Sequence, residues 1–310
     1  MNDHVAPVVA VLIPCRNEAP TVSAVVAGFR HSLPQCRVYV YDNGSSDGTS
    51  QLAKRSGALV RCERIPGKGG VVRRMFAEVD ADVYLLVDGD GTYDPAAAPL
   101  LIRRLLEDDL DMVTAVRDHQ GRAAAYRSGH QWGNRAFNRL LHILFGHEPA
   151  DLFSGYRVFS RRFVKSFPAA SSGFEIETEL TVHALEQRLP TGEVIAPYFE
   201  RPSGSTSKLS TWRDGARILR MMIVLYRDER PLPFFGAFAI IVGAIGLGLG
   251  IDVTVEFLST HLVRRFPTAI LATGLMLTAF MFVGCGLILD QVARGRREAK
   301  RLAYLSQSAR

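Results

Sequence analysis

Three aspartates follow an apolar run in the segment LLVDGDGTYDPAAAP. They are Asp88, Asp90 and Asp94, and such a cluster suits either a tight solvated turn or a hard divalent cation that needs several oxygens. The segment is not an EF-hand, because Tyr93 stands where that loop needs glycine and Pro99 where it needs glutamate. The remaining chemistry is an Asp-x-Asp turn at a strand end, where a carboxylate holds Mg²⁺ or Mn²⁺ and substrate phosphates complete the coordination.

The elements that would position these aspartates alternate between short apolar runs and helical patterns up to about residue 118. Strands are predicted at VVAVLIP, RVYVYD, ALVRC, DVYLLVD and LDMVTAVR, with helices between them. This alternation indicates right-handed crossovers and a mostly parallel sheet covered on both faces. Polar segments follow four of the strands, namely PCRNE, DNGSSDGT, DGDGTYD and Arg117. Because ligands bind at the carboxyl ends of such strands, we expect one site at this edge.

The second half of the chain predicts a different arrangement. Helices are expected at SGHQWGNRAFNRLLHILFG, FEIETELTVHALEQRL and WRDGARILRMMIVLYRDE, and a strand at EVIAPYFERP. The last of these helices has arginines along one side and apolar residues along the other, which is typical of a helix that lies on a membrane surface.

Two long uncharged runs follow, Pro231–Ile251 and Phe266–Leu289. Each is long enough to cross a hydrocarbon core of ~30 Å as a helix, and the alternative is a buried hairpin in a soluble core. Basic residues flank the pair on both sides, so the positive-inside bias places both flanks in the cytoplasm, although Arg264 and Arg265 between the runs oppose it. The N-terminus lacks a signal-peptide pattern. We therefore expect an integral membrane protein with two spans and with the catalytic domain and both termini cytoplasmic, in a bacterial or archaeal plasma membrane.

The composition indicates which classes of ligand and partner the chain would bind. The net charge of +6 suits anionic lipid and phosphorylated substrates in a membrane-anchored chain, and no nucleic-acid partner is predicted. The four cysteines have no metal or redox spacing and are interpreted as core residues. The first strand is followed by IPCRNEAP, which contains no glycine, so a nucleotide-dependent dehydrogenase with a G-x-G-x-x-G turn is excluded.

The sequence resembles the family 2 glycosyltransferases of GT-A fold, and more narrowly the dolichyl- and polyprenyl-phosphate sugar synthases. The motifs that carry the resemblance are IPCRNE, YDNGSSDGT, GKGGVVRRMF, DGDGTYDP, DLFSGYRVF, GFEIETEL and RPSGSTSKL. It implies an α/β GT-A domain, with a Rossmann-like, mostly parallel sheet, followed by a transmembrane helical hairpin. The expected divisions are a cytosolic GT-A domain (1–212), an amphipathic juxtamembrane helix (213–231), two transmembrane helices (232–289) and a basic cytosolic tail (290–310).

The resemblance also implies residue roles. Nucleotide-sugar binding falls to Pro14, Arg16, Glu18, Asp42, Lys68, Asp88, Arg201, Ser205 and Lys208. Catalysis falls to Asp88, Asp90, Arg117, Arg135 and Asp151, and acceptor binding to Arg117, Arg135, Ser154 and Arg157. Asp90, with Asp88, would hold Mg²⁺ or Mn²⁺. Two positions depart from the family: Thr92 stands where some relatives have a metal-binding glutamine, and Cys15 where the family has tyrosine.

The implied reaction is inverting transfer of a sugar from a nucleotide-diphosphate sugar, with a UDP-sugar favoured, to polyprenyl (undecaprenyl or dolichyl) phosphate at the cytosolic membrane face. Such an acceptor is already ionised, so it needs orienting cations instead of a general base. Three alternatives stay open: a GDP-mannose-dependent polyprenyl-phosphate mannose synthase, a membrane polysaccharide synthase with a hydroxyl acceptor, and a membrane-tethered sugar-nucleotide sensor. Homo-oligomerisation is left open.

Overall fold

The structure is a computed structural model that describes residues 6–118, 139–146, 149–168, 176–201 and 211–307. The chain divides into two compact units. The first unit contains Met1–Gln131, His147–Leu209 and Ala299–Arg310, and the second contains Trp132–Gly146 and Ser210–Glu298. The end of the chain thus returns to the unit that contains its beginning.

The first unit is built on a seven-stranded sheet of order β3-β2-β1-β4-β6-β5-β7. Its strands are β1 (Val9–Cys15), β2 (Arg37–Asp42), β3 (Leu59–Cys62), β4 (Val83–Leu86), β5 (Met112–Asp118), β6 (Arg157–Ser160) and β7 (Thr191–Pro197). Strand β6 pairs antiparallel with β4 and β5, and the other neighbours pair in parallel. The five predicted N-terminal strands and the mostly parallel sheet are confirmed.

Helices cover both faces of this sheet. The helices up to β7 are α1 (Val22–Ser32), α2 (Thr49–Arg55), α3 (Lys68–Glu78), α4 (Ala98–Glu107), α5 (residues 139–145, in the second unit), α6 (Arg161–Ser166) and α7 (Ile176–Gln187). Strand β1 shows how one sequence serves two faces. Val11 and Ile13 join the core beneath α1 and α4, while Leu12 joins the core beneath α3 and α7. A strand buried on both faces therefore reads as the continuous apolar run VAVLIPC.

The chain order places a switch point beside β1, because β2 lies on one side of it and β4 on the other. The loops after β1 and β4 therefore open next to each other at the carboxyl edge, the position where open α/β sheets bind ligands. This edge carries the Asp-x-Asp turn of the sequence.

In the described part of the chain, the second unit also contains α8 (Thr211–Glu229), α9 (Pro231–Thr260) and most of α10 (Phe266–Leu305). Two of them, α9 and α10, are long and apolar enough to cross a membrane, with mean hydropathy 2.3 and 2.0. Only 11% and 17% of their most apolar windows are buried, whereas the core helix of a soluble protein would be mostly buried. Exposure on this scale favours the membrane interpretation over the soluble hairpin.

Small residues allow α9 and α10 to approach each other. A Cβ on Gly246 would lie 3.0 Å from Cβ of Leu275 and 3.3 Å from the backbone oxygen of Ala272. In the connection, Arg265 lies 3.3 Å from Asp252 and 3.6 Å from Glu256. These pairs partly offset the arginine charge that opposed the positive-inside bias in the sequence.

Two helices lie in the segments predicted as the juxtamembrane helix and the basic tail. The amphipathic juxtamembrane segment predicted at 213–231 corresponds to α8, which begins at Thr211 and ends at Glu229. The segment predicted as a basic cytosolic tail, 290–310, contains the continuation of α10, which stays helical to Leu305, and its residues from Ala299 onward belong to the first unit.

Candidate active site

The loops after β1 and β2 are joined by hydrogen bonds. The backbone N–H of Asn17 donates to Oγ of Ser45 (2.8 Å), and the N–H of Ser46 donates back to Oδ1 of Asn17 (2.9 Å). The N–H of Ala19 donates to Asp47 (3.0 Å), whose carboxylate also accepts from the hydroxyl of Thr49 (2.5 Å). Asn17 adopts a φ of 55°, a left-handed conformation that asparagine tolerates. The loops after β1 and β2 therefore form one hydrogen-bonded unit.

Asp42, predicted to bind nucleotide, accepts hydrogen bonds within the loop after β2. Its side chain accepts the N–H of Ser45 (2.9 Å) and the hydroxyls of Ser45 and Ser50, and the residue is 5% exposed. Of the other predicted residues here, Pro14 lies at the end of β1, Arg16 is exposed, and Glu18 is half-buried. Asp42 thus shapes the loop, while Arg16 stands closer to solvent.

Lys68 connects the Asp-x-Asp turn to another part of the sequence. It begins α3, and its Nζ lies 2.5 Å from Oδ1 of Asp88 while also donating to Glu177 at the start of α7. Burial alone would lower the pKa of Lys68, but the two carboxylates raise it well above its usual value. Lys68 is therefore a fixed cation that holds Asp88. Glu177 was not among the predicted site residues, because Lys68 lies 109 residues away and no spacing rule connects the two.

Asp90 is the more enclosed of the two predicted metal ligands, with a side chain that is 5% exposed. Its Oδ1 accepts from the N–H (3.1 Å) and hydroxyl (2.7 Å) of Thr92, and its Oδ2 lies 2.7 Å from Nη2 of Arg201. Asp94 has a different use, since its side chain caps the turn before α4 by accepting from the N–H of Ala96 (2.9 Å). Of the three aspartates, Asp88 and Asp90 therefore each pair with a cation, and Asp94 caps a turn.

The donor set fits a divalent cation of the Mg²⁺ or Mn²⁺ type. Oδ2 of Asp90 already carries a cationic partner, which shows that this oxygen is directed at a position suited to positive charge. Among the residues that the structure describes, no three or more His, Cys, Asp or Glu side chains form a metal cluster. A cation on Asp90 would need further oxygens from water and substrate, as Mg²⁺ commonly does.

Two glycines permit the close packing of the turn. A Cβ on Gly89 would lie 2.5 Å from Sγ of Cys15, and a Cβ on Gly155 would overlap the carboxylate of Asp88. Cys15, which stands where the family has tyrosine, is buried and packs directly against the turn at Gly89. Burial and then the charge of nearby carboxylates, Glu18 first, raise the pKa of its thiol.

The end of β5 presents a fixed arginine. Arg117 donates to Asp151 through Nε (2.7 Å) and Nη2 (2.8 Å), and its guanidinium lies over the ring of Tyr198 at 5.4 Å. Burial would lower the pKa of Arg117, but Asp151 raises it further, so the side chain stays cationic. Bidentate pairing of this kind fixes orientation as well as charge.

Two predicted acceptor residues lie in the interior. Arg157 is 1% exposed and donates to the carbonyls of Ser154 (3.0 Å) and Leu152 (2.6 Å) and to the hydroxyl of Thr181 (2.7 Å). Ser154 is itself fully buried. Both residues support the loop that carries Asp151, and contact with an acceptor would require them to leave the core. Arg135, Ser205 and Lys208 lie outside the described residues.

Comparison with known proteins identifies the class. The profile of the family "Glycosyl transferase family 2" matches residues 10–167. The chain is 32% identical over 291 residues to glycosyltransferase AglJ of Haloferax volcanii, which covers 94% of this chain and 95% of that protein. It is 27% identical over 231 residues to a dolichyl-phosphate hexose transferase of the same organism, covering 74% of this chain and 99% of the relative. The chain belongs to glycosyltransferase family 2.

A solved structure confirms the fold. The glucosyl-3-phosphoglycerate synthase of Mycobacterium tuberculosis, in complex with Mn²⁺, uridine-diphosphate and phosphoglyceric acid, superimposes with a TM-score of 0.58 at 22% identity. The match covers 71% of this chain and 78% of that one. The predicted GT-A fold, the family and the enzyme class are therefore confirmed, and the non-enzymatic sensor is set aside.

Proposed function

We propose that this chain transfers a hexosyl group from a nucleotide-diphosphate sugar to a polyprenyl phosphate, with inversion at the anomeric carbon, at the cytosolic face of a membrane. A UDP-sugar is the favoured donor, and GDP-mannose is the alternative. The observation that carries the proposal is that four carboxylates of the site are each ion-paired with a cation. The pairs are Asp88 and Glu177 with Lys68, Asp90 with Arg201, and Asp151 with Arg117.

This pairing supports a phosphate acceptor over a hydroxyl acceptor. A hydroxyl acceptor must lose a proton to a general base, whereas each of these four carboxylates is already engaged by a cation. A phosphate acceptor needs no such base. Its oxygen forms the bond to the anomeric carbon while the bond to the nucleotide diphosphate breaks, and the electron pair leaves with the nucleotide. What the site must supply is positive charge that is held in place.

Each cation of the site has a separate position. Arg117 is fixed by Asp151 and is the group best oriented to bind the acceptor phosphate. Lys68 holds Asp88 in place, so that its carboxylate can face the donor sugar. Arg201, half-exposed, is the cation that can reach the donor diphosphate. Such prearranged charge stabilises a transition state without reorganisation during the reaction.

Asp90, with Asp88 beside it, would hold a divalent cation. A bound Mg²⁺ or Mn²⁺ supplies neutralising charge to a leaving diphosphate. The fit rests on the directed oxygen of Asp90 and on the hydrogen bonds by which Thr92 fixes the other oxygen. In this chain a threonine therefore orients the ligand where some relatives would add a further one.

Membrane attachment supports the lipid acceptor. The chain contains two apolar helices that are largely exposed. One relative is named a dolichyl-phosphate hexose transferase, and dolichyl phosphate is a lipid phosphate. An anchored enzyme shares a surface with an anchored acceptor, which raises their effective concentration.

The deciding experiment offers purified full-length protein in detergent, with Mn²⁺, either undecaprenyl phosphate or undecaprenol. Radiolabelled UDP- and GDP-sugars are tested in turn, and the lipid product is separated by chromatography. We expect transfer to the phosphate only, from one donor, with one sugar per lipid and inverted anomeric configuration by NMR. Transfer to the neutral alcohol, or growth of a polymer, would instead establish the hydroxyl-acceptor alternative.

A further inference from the structure

Arg201 occupies the outward oxygen of Asp90. Its Nη2 lies 2.7 Å from Oδ2, while Thr92 holds Oδ1 through its N–H and hydroxyl. The partners are unequally covered, since the Asp90 side chain is 5% exposed and that of Arg201 is 38% exposed. The carboxylate is therefore the fixed partner of this pair and the guanidinium the one with room to move.

We propose that Arg201 and the divalent cation compete for Oδ2 of Asp90, so that the arriving cation releases Arg201 toward the diphosphate of the donor. The inference rests on the proposed donor class. Its physical basis is that two positive groups cannot share one carboxylate oxygen at ion-pair distance without strong repulsion. A guanidinium released from a carboxylate can then pair with two phosphate oxygens, which match its geometry.

The backbone near Arg201 suits such an exchange. Just before it, the N–H of Phe199 donates to the carbonyl of Thr92 (2.8 Å), and Tyr198 forms a bridge with Tyr93. These bonds tie the end of β7 to the loop that contains Asp90. Arg201 is thus held two residues from an anchor, and rotation of its side chain is enough to change partners.

The proposal makes Arg201 a positioning residue with opposite effects on two ligands. Removal of the guanidinium should strengthen binding of the metal alone, because its competitor is gone. The same change should weaken binding of the nucleotide in the presence of metal, because a phosphate partner is gone. A residue that only stabilised the loop would weaken both.

The first experiment measures Mn²⁺ binding to the full-length protein without nucleotide, from the EPR signal of free Mn²⁺. We expect Arg201→Ala to tighten binding by about fivefold and Arg201→Lys to lie between it and wild type. Arg103→Ala, which removes an exposed arginine of α4, should match wild type. Asp90→Asn should abolish binding both alone and combined with Arg201→Ala, which places the competition at Asp90.

The second experiment measures UDP and GDP binding by calorimetry at saturating Mn²⁺. We expect Arg201→Ala to weaken the nucleotide that wild type binds by about tenfold. Unchanged or weaker Mn²⁺ binding by Arg201→Ala, in protein with wild-type thermal stability, overturns the proposal, as does unchanged nucleotide affinity. If wild type binds neither nucleotide, the donor proposal fails while the Mn²⁺ titration still decides the competition.

Discussion

At the scale of single residues, the pair of Arg117 and Asp151 provides the first prediction. Asp151→Asn keeps the shape of the side chain but removes the charge that fixes the guanidinium through two bonds. We expect transfer to fall about a hundredfold, with the loss in acceptor KM and kcat, because a misoriented cation binds the phosphate poorly. Steady-state kinetics with each substrate varied in turn measure this.

The matched control for that prediction is Asp108→Asn, which removes the partner of Arg104 on α4 at the protein surface. We expect wild-type kinetics from this variant. Wild-type acceptor kinetics from Asp151→Asn would mean that Arg117 does not depend on its partner for orientation.

Gly89 provides a second prediction at this scale. In Gly89→Ala the new Cβ meets Sγ of Cys15 at 2.5 Å, and the turn that holds both aspartates must shift. We expect a loss of about 1–3 kcal/mol in the free energy of unfolding, the usual result of overpacking. Thermal denaturation checks it, and Cys15→Ala in the same chain should restore most of the loss because it removes the clashing sulfur.

Gly70→Ala serves as the control for this prediction. The nearest atoms to its Cβ, both of Ile65, lie 4.0 Å away, and the residue is helical, so no loss is expected. An unchanged melting temperature for Gly89→Ala would show that Cys15 can move away from the added methyl group without loss of stability.

At the scale of elements, the sequence could predict what depends on local pattern. The strands VAVLIPC and RVYVYD were visible as apolar runs, and the polar segments after them as a common edge. Strand β6 is not among the predicted strands, because it has only four residues and begins with the charged Arg157. Its burial depends on carbonyls that only the folded loop brings within reach, so no pattern could show that Arg157 is internal.

The same limit applies to the site. Asp88 and Asp90 were identified from residue type and spacing, but the cations that pair with them were not. Lys68 and Asp88 are 20 residues apart, and Lys68 and Glu177 are 109 apart. Pairings at such separations are set by how helices pack on the sheet, which the composition of either segment does not specify.

Helix α7 provides a prediction about pH. His183 packs edge-on to Phe163 and Phe167, and burial, aided by Lys300, lowers its pKa to about 3. The unfolded value is about 6.5, so the folded state resists protonation. The contribution of His183 to the free energy of unfolding is therefore fully present above pH 6.5. It decreases as the pH falls toward 3, by up to about 1.4 kcal/mol per pH unit.

Melting temperatures from pH 7 to pH 4.5 test this prediction. We expect His183→Gln to lose part of the acid sensitivity of wild type, and His31→Gln, which alters an exposed histidine of α1, to retain all of it. Identical acid dependence for wild type and His183→Gln would assign the sensitivity to other groups.

At the scale of the whole molecule, the end of the chain belongs to the catalytic unit. Nζ of Lys300 lies 2.5 Å from Glu186, and the hydroxyl of Tyr304 donates to Asp111 (2.7 Å). Arg162 lies over the ring of Tyr304 at 5.2 Å. The sequence predicted a basic tail here because charges dominate RGRREAKRLAYL. In the structure, two residues of this segment contact buried carboxylates, Glu186 of α7 and Asp111 just before β5.

Truncation after Glu298 therefore removes structure from the catalytic unit. It leaves α9 whole and removes only the last seven residues of α10. The Glu186 side chain is 1% exposed, and loss of its cationic partner Lys300 costs about 3–5 kcal/mol. Asp111 loses the hydroxyl of Tyr304 but keeps Ser160 and Arg162 as partners. We expect a markedly lower melting temperature and reduced transfer, a smaller decrease for Tyr304→Phe, and none for a chain ending at Gln307. Equal melting temperatures for the 1–298 and 1–307 chains would show that these carboxylates find other partners, and that the last turns of α10 are dispensable to the catalytic unit.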